Sequence, residues 1–355
     1  MKHRMLPTLL LWLLLATLPA WGDTLTIPRI EADLLPEAVI QNSRYLKGSN
    51  PAGERVSSSL TMRLKYTRQA YGSAQAVDAY YGAGVGLYLT SRQLGSPLLV
   101  YIAQGGTIAN LTARLSLNYE LNLGLAIGWK AYEESSNESN RVLGSRVTSY
   151  IGGDVFLRFL LNQHWDLSAG YGYTHFSNAN LRLPNEGLNA MGLRLSAAYY
   201  PHRGDRMARA SLLTAATLPR GQRWATDVIL FGGWKRVAVS DDHNYGVAGL
   251  TVSPTYRLNK AIALGPALDA IYDASVAPRL TVGLQVRAEL TMPVFRASAG
   301  AGRMVAGGMK CFYETLAMKA DISRHLFLNI GYTLYNFNYT NHLMLGVGVR
   351  FAALR

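Results

Sequence analysis

Apolar residues alternate with small or polar ones along segment after segment of this 355-residue chain, and that period of two constrains the fold more than any other feature. Leu121, Leu123, Leu125, Ile127 and Trp129 fall on one face of a strand, with Asn122, Gly124, Ala126, Gly128 and Lys130 on the other. Leu326, Leu328, Ile330, Tyr332 and Leu334 repeat the pattern against Asn329, Gly331 and Thr333, and Leu343, Leu345, Val347, Val349 and Phe351 repeat it again near the C-terminus. A soluble β-sandwich would also alternate. Three further features separate the two. The segments run about 10 to 12 residues, the length a tilted strand needs to cross a bilayer. Their second faces are small or polar, which suits a lumen, and Tyr and Trp cluster near segment ends as in the aromatic girdles of membrane barrels. No unbroken apolar run of about 18 residues follows the N-terminal region, so spanning by helices is excluded. The expected fold is an all-β, transmembrane antiparallel β-barrel of about 12 to 16 strands, with 14 the best count.

The N-terminus explains how such a chain reaches a membrane. Lys2, His3 and Arg4 precede an apolar stretch from Leu9 to Ala16, and Ala20-Trp21-Gly22 offers small residues where a signal peptidase reads. Residues 1–22 are therefore expected to be a signal peptide and Asp23 the mature start. An uncleaved anchor is the alternative, but the run is short for a span of about 20 residues and is bracketed by Pro7 and Pro19. Residues 23–56 hold three prolines and no clean period, which predicts a periplasmic N-terminal segment ahead of a barrel over 57–355. Short connections at 161–164, 258–260 and 321–324 are expected at the periplasmic end, and longer polar ones at 133–145, 178–188 and 240–244 at the extracellular end. The Arg-rich stretch 202–223 reads equally as a long turn or an extra hairpin.

Charge and motifs remove several classes of function. The net charge of +13 is spread along the chain without a Lys/Arg block. An exported protein rarely meets nucleic acid, so the expected partners are anionic lipids of a bacterial outer membrane, such as lipopolysaccharide phosphates. Cys311 stands alone, which rules out an internal disulfide. No Cys/His cluster with metal-ligand spacing is present, and the glycines at 82, 84 and 86 lie within a strand that no helix follows. No metal or other cofactor is expected, and the oligomeric state is left open.

The segment with chemistry in it is Trp165 to Tyr200. Trp165, Leu167, Ala169, Tyr171 and Tyr173 form an outward apolar face against Asp166, Ser168, Gly170, Gly172 and Thr174. Carried two steps further, the alternation puts His175 and Ser177 outward at the rim. On the following strand Met191, Leu193, Leu195, Ala197 and Tyr199 share a face that Asn189 continues upward. Strand ends at the interface tolerate such polar groups. They also place residues i and i+2 side by side, near enough for a serine hydroxyl to meet an imidazole, the nucleophile and base relation of serine hydrolases.

The run His175-Phe176-Ser177-Asn178, followed by Pro184-Asn185-Glu186-Gly187 and a glycine-bearing strand, resembles the lipid A 3-O-deacylase family of outer-membrane barrels, within the wider group of acyloxyacyl hydrolases. The tight match covers about 25 residues, and a looser one of Gly-rich strands reaches back to Gly82. What the resemblance implies is a serine esterase that removes an ester-linked fatty-acyl chain from lipid A, with a serine nucleophile, a histidine base and an acidic third member. His175 and Ser177 match the first two. Where the family's best-known members carry a glutamate this chain has Asn189, which can orient an imidazole by accepting its N–H but cannot stabilise the imidazolium by charge. Glu186, in the loop, is a second candidate for that place. The side-chain amide of Asn178 is a candidate oxyanion donor. The alternative reading is a channel or lipid-binding barrel with a degenerate, inactive site, in which strands from Asp227 to Phe351 widen the lumen.

Overall fold

The computed structural model describes residues 25–71, 79–203, 223–241, 243–258, 262–292, 295–323, 325–336 and 339–352. Among these residues the chain forms sixteen antiparallel strands that close into two barrels of eight. The first barrel comprises β1 (Leu25–Val39), β2 (Ser58–Tyr71), β3 (Tyr80–Leu89), β4 (Leu98–Asn110), β5 (Leu115–Ile127), β6 (Val147–Leu160), β7 (Trp165–Ser177) and β8 (Leu188–Tyr199), closed by pairing of β1 with β8. The second comprises β9 (Trp224–Lys235), β10 (Tyr245–Arg257), β11 (Ile262–Asp273), β12 (Leu280–Thr291), β13 (Phe295–Gly307), β14 (Phe312–Asp321), β15 (Leu326–Tyr335) and β16 (Tyr339–Ala352), closed by β16 on β9.

Three expectations change. The single barrel with a best count of 14 strands becomes two barrels, because β8 finds its last partner in β1 and the strands after it close on themselves. The wider lumen expected of a channel does not form, since eight strands leave an interior that side chains fill. The segment 23–56, expected as a periplasmic lead-in, supplies β1 and the loop to β2. Its period was masked by charges on the inner face and prolines on the outer: Arg29, Glu31, Asp33 and Glu37 point inward, and Pro28, Ile30, Leu34 and Pro36 outward. Pro28 lies ahead of the β1–β8 ladder, which begins at Ile30, and Pro36 lies in a break of it between Leu34 and Glu37. A residue without an N–H is tolerated at both places. The expected signal peptide and positions 204–222 of the Arg-rich stretch lie outside the described residues.

Period two is otherwise realised as expected. Outward residues form an exposed apolar belt on each barrel, for example Leu64, Val155, Tyr171 and Leu193 on the first and Leu230, Leu284, Val286 and Val347 on the second. Each barrel carries an aromatic pair at its short-turn end, Trp165 with Tyr199 and Trp224 with Tyr256, both with ring centroids 5.0 Å apart. Trp129 departs from the alternation. β5 ends at Ile127, and the indole turns in to donate from Nε1 to Thr148 Oγ1 at 2.9 Å.

The interiors are polar and filled. In the first barrel Asp33 receives Arg63 at 2.9 Å, Lys65 at 2.9 Å and Arg194 at 3.0 Å, and Glu120 receives Lys65 at 2.5 Å. Charges this deeply buried persist only when paired and hydrogen-bonded, and here Asp33 and Glu120 each meet two or more cations. Toward the long-loop end the filling turns apolar: Phe176 packs against Tyr88, Trp129 and Tyr150 with centroids 4.7 to 5.6 Å apart. Tyr45, Leu46, Val142 and Leu143 from the loops join the same cluster. The candidate site stands on this aromatic plug.

Candidate active site

β7 and β8 pair so that His175 lies directly opposite Asn189. Directly opposed side chains on one sheet face sit about 5 Å apart at Cβ, close enough for a short hydrogen bond. His175 Nδ1 is 2.6 Å from Asn189 Oδ1. The same oxygen accepts from the Tyr173 hydroxyl at 2.7 Å. A carbonyl oxygen has no proton to give, so Nδ1 carries the imidazole proton and Nε2 keeps the lone pair. That is the tautomer a base needs in order to take a proton from a hydroxyl.

Ser177 follows two residues on, at the last position of β7. The alternation places it outward and the sequence suggests it is exposed at the rim, yet it is only 4 % exposed. Residues 184–187 fold back beside it. Asn185 Nδ2 donates to Ser177 Oγ at 2.9 Å, and Asn185 Oδ1 accepts the Asn178 backbone N–H at 3.1 Å. One amide thus holds both the hydroxyl and the turn that follows it. From the other side Ser149 Oγ donates to the Ser177 carbonyl at 2.6 Å, across the β6–β7 pair.

Neighbouring loops hold that connection in place. Glu186 N–H donates to Arg141 O and Gly187 N–H to Val142 O, each at 3.1 Å, and Asn42 Nδ2 donates to Glu186 O at 3.2 Å. Gly187 has φ +74°, and a Cβ there would lie 3.5 Å from His175 Cε1 and 3.3 Å from the Phe176 carbonyl. Glycine meets both demands, a left-handed backbone and close approach to the imidazole.

The structure therefore brings His175, Ser177, Asn178 and Asn189 to one rim. Glu186 does not join them: its backbone is tied on both sides, and its exposed side chain makes no hydrogen bond or ion pair among the described residues. Sequence reasoning assigned no role to Asn185 or Tyr173. Asn185 was visible within the Pro184–Gly187 run, and Tyr173 two residues before His175 on the same face. Among the described residues no three His, Cys, Asp or Glu side chains are grouped to hold a metal ion.

Residues 53–198, which run from ahead of β2 to the penultimate residue of β8 and include His175, Ser177, Asn178 and Asn189, match the family described as lipid A 3-O-deacylase (PagL). Residues 224–353, the span of the second barrel, match the acyloxyacyl hydrolase C-terminal domain. The chain belongs to the lipid A 3-O-deacylase family. It is an ester hydrolase of the lipid A deacylase type. No curated protein matches the sequence. Among solved structures, a mutant of the TodX monoaromatic hydrocarbon channel aligns at 13 % identity over 94 % of this chain and 90 % of its own, with a TM-score of 0.20. A mutant of the Rh. blastica porin aligns at 9 % identity over 92 % and 100 %, with a TM-score of 0.19. Scores this low say nothing about how the strands of this chain are arranged, which rests on its own ladders.

Proposed function

We propose that this chain sits in the outer membrane of a Gram-negative bacterium and removes an ester-linked fatty-acyl chain from lipid A of lipopolysaccharide, with Ser177 as nucleophile, His175 as base and Asn189 as the residue that orients the base. The observation that carries the reading is the 2.6 Å contact of His175 Nδ1 with Asn189 Oδ1, which leaves Nε2 to accept a proton.

Ser177 Oγ attacks the ester carbonyl as its proton passes to His175 Nε2. The tetrahedral intermediate collapses, the sugar oxygen leaves with that proton, and the acyl group stays on Ser177. Water then repeats the sequence and releases the fatty acid. Asn178, buried beside the nucleophile, is assigned to the oxyanion through its side-chain amide. Asn185 holds the hydroxyl before attack. Asn189 rather than Glu186 is the third member, so the imidazolium forms without an adjacent carboxylate and turnover is slower than a charged triad would give. No deep acyl pocket is required, because each methylene left in the bilayer contributes about 0.8 kcal/mol to holding the substrate.

Mass spectrometry of lipid A from cells making the native chain or Ser177→Ala tests this. The native chain should produce lipid A lacking one acyl chain, and the variant should not. Loss of the hydrogen bond from Asn185 costs the variant about 1 kcal/mol, which a heat-modifiability gel will show the barrel survives. Unchanged lipid A with the native chain, or equal deacylation by the variant, ends the esterase reading.

A further inference from the structure

We propose that the second barrel carries a phosphate-binding cleft at its long-loop end, suited to the phosphate group of an anionic glycolipid. The cleft, about 350 Å³, is lined by Arg303, Lys310, Cys311, Phe312 and Asn336. It forms where β13 turns into β14. Arg303 and Phe312 are direct partners in the β13–β14 ladder, so guanidinium and ring leave the wall side by side, both exposed. Met304 N–H donates to Cys311 O at 2.9 Å and Asn336 N–H to Phe312 O at 3.1 Å, which ties the turn and the end of β15 to one rim.

No ion pair offsets the cations lining this cleft among the described residues. Arg303 and Lys310 make no ion pair or side-chain hydrogen bond among the described residues, and no carboxylate lines the space. Glu314, the nearest acid along β14, is buried and is not part of the lining. This contrasts with the interior of the same barrel, where Arg296, Lys319 and Arg350 each meet a carboxylate. Two unpaired cations match the charge of a phosphate monoester, and a guanidinium binds its oxygens bidentately. Phe312 beside them continues the apolar belt, so a ligand with a phosphate head and a lipid body meets both surfaces. Placing this end at the glycolipid leaflet rests on the outer-membrane reading above, in which the longer connections face outward.

Cys311 is the only cysteine of the chain and lines the cleft, so it reports on occupancy at this place and not at Ser177. In the purified full chain, a sulfonate-bearing methanethiosulfonate should label Cys311 faster than its trimethylammonium analogue. Arg303→Gln combined with Lys310→Gln should lower that ratio on the order of tenfold. Micelles of bis-phosphorylated lipid A should slow labelling of the native chain severalfold and leave the double variant unprotected, and fully dephosphorylated lipid A should protect neither. Protection by inorganic phosphate alone, with nothing added by the lipid, assigns the same chemistry to the free ion. Equal rates for the two reagents, or equal protection by dephosphorylated lipid, overturns the proposal. Fatty-acid release from the same samples separates the two readings: no release with protection intact sinks the esterase and leaves the cleft standing, and the converse sinks the cleft alone.

Discussion

In the first barrel Asp33 lies among Arg63, Lys65 and Arg194; in the second Asp227 lies among Arg296, Lys319 and Arg350, at 3.2, 2.8 and 2.7 Å. The walls are also alike, with eight strands, an apolar belt and a Trp–Tyr pair at the short-turn end. They part at the connection between the seventh and eighth strands. β7 and β15 both carry a Gly-Tyr step, Gly170-Tyr171 and Gly331-Tyr332, and at the same spacing beyond it stand His175 and Asn336. After His175 the strand continues to Ser177 and a loop returns over it, whereas Asn336 already sits in the turn with φ +53°. The barrel is a frame common to both halves, and the arrangement proposed for catalysis depends on one long loop. The histidines make the same point. His175 is held by Asn189 at the rim of the first barrel, while His342 is buried against Phe231 in the second, with no hydrogen-bond partner for either ring nitrogen among the described residues.

The largest contrast is expected between those two histidines. His175→Ala should lower fatty-acid release on the order of a thousandfold or more, since it removes the base. His342→Leu should leave release unchanged and stabilise the second barrel by about 1 kcal/mol, because it removes a buried unsatisfied group. A drop in release with His342→Leu would show that the second barrel takes part in the chemistry. Next in size is the effect of emptying a charge centre. Asp227→Asn leaves Arg296, Lys319 and Arg350 to share Glu289 and should cost about 3 kcal/mol in thermal unfolding, with release at 25 °C retained. If Asp227→Asn abolishes release while the protein still migrates as a folded barrel, the two halves are not independent.

A smaller effect sharpens the site itself. Asn189→Asp puts an anion beside the imidazolium and should raise turnover about tenfold, equivalent to about 1.4 kcal/mol. No gain, measured as the initial rate of fatty-acid release, would mean that something other than residue 189 orients His175. The smallest expected effect belongs to Tyr173. Its hydroxyl fixes the Asn189 amide with Oδ1 toward His175, so Tyr173→Phe should reduce turnover about threefold, the worth of about 0.6 kcal/mol from one partly exposed hydrogen bond. In the Asn189→Asp background the same change should do nearly nothing, because a carboxylate presents oxygen whichever way it turns. An equal loss in both backgrounds would assign Tyr173 to packing.

The sequence by itself determined the strand faces, the outward apolar belt and the neighbouring positions of His175 and Ser177 at the end of β7, because these follow from a period of two that holds along each segment whatever lies beside it. Asn189 was legible for the same reason, one strand further on. The division into two barrels was not, since closure depends on which distant strand satisfies the last edge: Ile30 with Tyr199, and Val349 with Val228. β1 was hidden because its inner face is charged and its prolines fall where the ladder to β8 is absent, which only the register reveals. The burial of Ser177 likewise came from outside its own strand. The loop that carries Asn185 and Gly187 is held by backbone groups of residues 141 and 142 and by Asn42, and no local pattern announces contacts between loops so far apart in the chain.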